Sequence, residues 1–105
     1  MNQVILIGNV KSELEVKDSK NGFQVGHFLM EVERPFTNSE GESESDLFQV
    51  TIWRSLVEEF QTRFKIGDLI GVRARLQANN YYKDENETYY RADIVADRII
   101  AFDKK

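Results

Sequence analysis

Residues 47–66 read LFQVTIWRSLVEEFQTRFKI, and the hydrophobic period changes within them. Over 47–53 the residues alternate. Phe48, Val50 and Ile52 share one face, and Leu47, Gln49, Thr51 and Trp53 share the other. A period of two sends successive side chains to opposite sides of a strand, so this is a strand with one buried face. Over 54–66, Leu56, Val57, Phe60 and Phe64 fall at helical spacing, with Glu58, Glu59, Gln61 and Arg63 elsewhere. Ser55 is the predicted cap, with Glu58 three residues later, and Gly67 is the predicted stop. The chain passes from a strand directly into one helix.

Before this unit, residues 3–10, QVILIGNV, form an apolar, β-branched run. Such a run predicts a strand covered on both faces, by core or by a partner subunit. Asn21-Gly22 is a strong hairpin turn signal. A second strand is expected over about 23–34 and is ended by Pro35, the only proline. Residues 37–46, TNSEGESESD, are polar and acidic and read as a mobile loop.

After the helix, residues 69–82 alternate again. Val72, Ala74, Leu76, Ala78 and Tyr82 occupy even positions; Arg73, Arg75, Gln77, Asn79 and Tyr81 occupy odd ones. Residues 89–96 repeat the parity, with Tyr90, Ala92, Ile94 and Ala96 even. Matching the apolar faces of this hairpin turns Tyr82 and Tyr90 inward. Tyr81, Tyr89, Arg73, Arg75 and Arg91 then share the outer face. A slip of one residue would reverse one strand, so the assignment rests on the apolar match. Residues 98–102 form the closing strand. The order is strand, strand, strand, helix, strand, strand. It predicts an all-β fold: a five-stranded OB-fold barrel with one helix between the third and fourth strands. Residues 1–105 are expected to form a single domain, with an acidic loop at about 37–46 and a long hairpin at about 69–98.

A chain of 105 residues suits one domain, and its 41% hydrophobic and 30% charged residues suit a core and a solvated surface. No run of about 18 apolar residues is present, so no membrane-spanning helix is expected. The N-terminus lacks the basic region and cleavage site of a signal peptide. Cysteine is absent, which excludes disulfides and thiol-metal sites. A cytoplasmic location is the plain expectation. The formal net charge of -4 is uneven. Residues 1–46 carry 4 basic and 9 acidic side chains, and residues 47–105 carry 10 basic and 9 acidic. The overall balance argues mildly against a nucleic-acid partner, so local arrangement decides.

Little points to catalysis: no nucleophile-base pair, no phosphate loop, no expected catalytic residue, cofactor or metal. His27, the single histidine, is read as structural or merely solvated. Glu40, Glu42, Glu44 and Asp46 alternate but lack the ligand pattern and length of an EF-hand, and read as a solvated loop. The outer sheet face says more. It presents Trp53, Tyr81 and Tyr89, with Arg73, Arg75 and Arg91 between or beside them. Bases stack on aromatic planes and phosphates seek guanidinium groups, so the set suits single-stranded nucleic acid. Outward aromatics also bury against partner subunits, and the pattern alone does not separate the two. Phe36 either staples the acidic loop or stacks a base.

Three segments together resemble the bacterial single-stranded DNA-binding protein family. They are MNQVILIGNV, SDLFQVTIWRSLVEEFQTRFKIGDLIGVRARLQ and YYKDENETYYRADIVAD, and the likeness runs from Met1 to about Phe102. The resemblance implies a non-enzymatic, sequence-nonspecific binder of single-stranded DNA in replication, recombination or repair. It implies a homotetramer, or a dimer at least, paired through the first strand and working at the bacterial nucleoid. Phe36, Trp53 and Tyr81 match the family's stacking positions, and Tyr89 joins them by parity. The expected phosphate contacts are Arg54, Lys65, Arg73, Arg75, Lys83 and Arg91. Leu47, Gln3, Gln77, Asn79 and Asn80 stand where the family places an aromatic or basic residues, which predicts weaker, less salt-dependent binding. The sequence ends at FDKK, so the expectation is a short form without the family's acidic C-terminal tail. The alternative is a primosome-type or mobile-element accessory protein that acts mainly through protein contacts.

Overall fold

A computed structural model describes residues 1–102. The closing residues 103–105, on which the expectation of a short form rests, lie outside them. The strands are β1 (Val4–Val10), β2 (Glu15–Asp18), β3 (Gln24–Thr37), β4 (Ser43–Trp53), β5 (Leu69–Ala78), β6 (Tyr81–Tyr82), β7 (Thr88–Tyr89) and β8 (Ala92–Ala101), with α1 (Ser55–Arg63) between β4 and β5. The main sheet runs β1-β5-β8-β4-β3-β2, and β1 also pairs with β3 at Asn9 and Val10. That contact closes β1, β5, β8, β4 and β3 into a five-stranded OB-fold barrel. One pairing is parallel, β4 with β8, where Val50 meets Ile94 and Thr51 meets Val95.

The alternation read from the sequence is what fills the barrel. Phe28 and Met30 of β3, Val50 and Ile52 of β4, Ile70 and Val72 of β5 and Ile99 of β8 form one buried cluster. α1 adds Val57, Phe60 and Phe64 to it. The Phe60 ring lies 4.4 Å from Phe28 and 5.4 Å from Phe64, centroid to centroid. Gly8 marks the closest crossing. A Cβ placed there would fall on the Glu31 carbonyl and against Val32.

Several boundaries differ from the sequence reading. Pro35 does not end β3, which continues to Thr37. The register with β4 shifts between Glu33 and Thr37, so Pro35 sits at a bulge, where a missing N–H costs no ladder bond. Half of the acidic stretch, residues 37 and 43–46, is therefore strand. β4 begins at Ser43, and the turn is confined to Asn38–Glu42, tied by the Asn38 side chain to the backbone N–H groups of Glu40 and Glu42. Arg34 holds this ribbon together. Its Nε and Nη2 donate to both oxygens of Asp46 at 3.0 and 2.8 Å, and its Nη1 donates to Glu44 at 2.7 Å. These hydrogen bonds, foremost, hold the Asp46 carboxyl below the usual carboxylate range and raise the Arg34 guanidinium. Like charge along the ribbon is offset by one forked cation, which periodicity does not reveal.

Ser55 is not the cap of α1. Arg54 occupies that position, with no side-chain capping bond. The helix ends at Arg63, where Phe64 turns extended, and Gly67 instead serves the following turn at φ 98°. β2 was not anticipated. It pairs with β3 across the Asn21-Gly22 turn, which forms as expected with Gly22 at φ 83°. Residues 92–101 form one strand where two were read, with a register irregularity opposite Arg73 and Ala74.

Candidate nucleic-acid interface

In an OB-fold the ligand face crosses the second and third barrel strands, between the first hairpin turn and the long hairpin before the last strand. Here those strands are β3 and β4. Their outward residues pair in rows: Val25 with Trp53, His27 with Thr51, Leu29 with Gln49, and Glu31 with Leu47. Trp53 is 41% exposed at one end of the face. Leu47 lies at the other end, six residues or about 20 Å away at strand rise.

The Trp53 end abuts the β2–β3 turn. Arg54 follows Trp53 and is the only non-glycine among the described residues with positive φ, at 53°. That conformation is strained for a side chain with a Cβ and persists where surroundings fix it. Here its N–H donates to the Gln24 carbonyl at 3.0 Å, and its guanidinium carbon lies 3.8 Å from the Phe23 ring centroid. Phe23 was missed by the sequence reading. Its place directly after Asn21-Gly22 was the available signal.

The far end abuts the long hairpin. β6 and β7 pair Tyr81 with Tyr89, and the two rings stack at 6.0 Å with an interplanar angle of 16°. The Arg91 guanidinium carbon lies 5.7 Å from the Tyr81 centroid. Arg91 and Asn79 line an open groove of about 550 Å³ with Leu47, Gln49 and Asp93. Tyr81, Tyr89 and Arg91 thus share one face, as parity predicted, and that face continues onto β4.

Tyr82 and Tyr90 are a correction. They are 70% and 82% exposed and do not point into a core. The register match holds along the hairpin, but full burial on that side stops at Ala74 and Ala96; beyond them Ile94 is only partly buried and Leu76 is exposed. A ribbon that projects past the barrel has two solvent faces, and an alternating pattern cannot tell where the barrel ends.

The expected cations separate into groups. Arg75 lies in register with Val95, and Val95 in turn with Thr51, so it belongs to a row crossing the face. Its Nη2 donates to Gln77 at 2.8 Å. Arg73 is held by Asp97 at 2.8 Å, and Lys83 lies 3.5 Å from Glu87 within the hairpin tip. Lys65 stands in the turn after α1 and lines a separate groove with Ser12, Phe60 and Phe64. Phe36 is exposed near the end of β3, within the register shift with β4. The structure therefore gathers Trp53 with Arg54, and Tyr81 with Tyr89 and Arg91. It does not bring Lys65 to either group.

An OB-fold barrel with exposed rings at both ends of its ligand face, and guanidinium groups beside them, has the build of a single-strand binder. A model of the single-strand binding protein family matches residues 1–102. Single-stranded DNA-binding protein 3 of Listeria innocua is 34% identical over 105 residues, all of this chain and 66% of its own length. Single-stranded DNA-binding protein 2 of Staphylococcus aureus is 32% identical over 99 residues, 94% of this chain and 70% of its own. This chain belongs to the single-strand binding protein family. It spans 62% of the length of the Oceanobacillus iheyensis single-stranded DNA-binding protein and 66% of the Listeria one. The fold is shared with the Plasmodium falciparum SSB complex with ssDNA, at TM-score 0.78 and 17% identity over 98% of this chain and 96% of that one. It is shared too with the small single-stranded DNA-binding protein from Streptomyces coelicolor, at TM-score 0.70 and 22% identity over 95% and 91%.

Among the described residues no helix is long and apolar enough to cross a membrane.

Proposed function

We propose that this chain binds single-stranded DNA without sequence preference and without catalysis, in replication, recombination or repair at the nucleoid. The observation that carries this is the placement of exposed Trp53 and of the stacked Tyr81–Tyr89 pair at opposite ends of one continuous outer face. Flat rings accept any base, and Arg54, Arg75 and Arg91 are near enough to meet phosphates between the stacked bases. Arg73 and Lys83, held by carboxylates, and Lys65, which lines a separate groove, are secondary contacts; exposed Phe36 on the β3–β4 ribbon is a further stacking contact.

A homotetramer is part of the same proposal. Residues Val4–Ile7 of β1 pair with β5 along one edge, and no described strand pairs with the other. On the outer face Ile5 and Ile7 are 61% and 54% exposed, beside Leu69 and Ile100. A second copy adding its β1 would cover both the edge and the patch. The accessory-protein reading draws no support from the names of the relatives.

Titration with oligo-dT at low salt, followed by Trp53 fluorescence, tests the reading. Stacking should quench the single tryptophan. No quenching and no mobility shift with a long oligonucleotide would refute it.

A further inference from the structure

His27 stands in the middle of the proposed DNA face, and the sequence reading gave it no role. It is half-buried on the outward side of β3, in register with Thr51 of β4 and Glu15 of β2. The rows on either side are Val25 with Trp53 and Leu29 with Gln49. A strand running from Trp53 toward Leu47 must cross this row.

The ring is held through one nitrogen. Its Nδ1 lies 3.1 Å from Thr51 Oγ1 and 3.4 Å from Gln49 Nε2. Thr51 is itself buried. These contacts leave Nε2 as the ring's outward nitrogen. No described protein group bonds that nitrogen, and the ring lines a recess of about 270 Å³ with Ser12, Glu13, Glu15, Leu29 and Gln49. The result is an unbonded ring nitrogen, backed by a flat ring, presented on the ligand face.

We propose that His27 is a DNA-contacting residue, whose Nε2–H donates to a phosphate or base oxygen of the strand crossing β3 and β4. The proposal rests on the single-stranded DNA reading above.

The test compares wild type, His27→Gln and His27→Ala by anisotropy of a labelled oligo-dT at low salt. Glutamine keeps a neutral donor near the Nε2 position; alanine keeps nothing. His27→Ala should weaken binding roughly three- to tenfold, as for one lost hydrogen bond. His27→Gln should stay within about threefold of wild type. Thermal melts confirm that each variant is folded. Wild type that binds, with His27→Ala equal to it, overturns the assignment of His27 alone. Wild type that binds no oligo-dT removes the DNA reading and this assignment together.

Discussion

The stacked pair on the hairpin gives the sharpest prediction. Tyr81 and Tyr89 lie 6.0 Å apart at 16°. A base between them needs about 3.5 Å on each side, or about 7 Å in all. Opening the pair to admit a base gives up a contact worth about 0.5–1.5 kcal/mol. Each new base–ring stack is worth on the order of 1–3 kcal/mol by alanine substitution. Two such stacks on a sandwiched base outweigh the one displaced ring pair. Tyr81→Ala should weaken oligo-dT binding about tenfold, near 1.4 kcal/mol, because Tyr89 still offers a face. Removing both rings should cost about a hundredfold. Neither change should lower the melting temperature by more than a few degrees, since both rings are half exposed and off the core. The assay is anisotropy of labelled oligo-dT at low salt, with melts by circular dichroism. A Tyr81→Ala variant within twofold of a wild type that binds would refute the stacking role of the hairpin.

Three further outcomes are expected. Phe28→Ala removes a fully buried ring packed at a tilt against Phe60, so it should cost about 3–5 kcal/mol and lower the melting temperature by more than about 10 °C. Asp97→Asn frees Arg73 from its 2.8 Å ion pair, and the slope of log affinity against log salt should steepen by about 0.7 if Arg73 takes up one phosphate; an unchanged slope places Arg73 outside the interface. Arg34 depresses the Asp46 carboxyl, so the ribbon contact is complete above the ordinary carboxylate range and fails as pH falls through the lower, folded value. Amide exchange at Asn38–Glu42 should therefore rise in wild type only below about pH 4, whereas Arg34→Gln should show it already at neutral pH.

The barrel was legible because its strands alternate cleanly and because one stretch, 47–66, changes period where strand becomes helix. Trp53 and the Tyr81–Tyr89–Arg91 face followed from parity alone. What periodicity could not supply were events outside the barrel wall. Pro35 was read as a stop because a proline removes a ladder donor, but a bulge absorbs that loss. The acidic stretch was read as a loop because the forked Arg34 lies ten and twelve residues from the carboxylates that it binds. Tyr82 and Tyr90 were turned inward because alternation persists past the last core layer. His27 was left without a role because its parity depends on the register of β3, which is fixed only once β4 is laid beside it.

β1 is paired along one edge over Val4–Ile7, with isoleucines exposed on its outer side. In the proposed tetramer this ties folding to mass action. Part of what stabilises each barrel is supplied by another copy, so the melting temperature should climb with protein concentration. Each tenfold dilution costs about 1.4 kcal/mol per association step. The half-paired strand then acts as a gauge of how much protein is present. At low abundance the free protomer is less stable and exposes its β1 edge, and scarcity alone limits how much binding-competent protein persists.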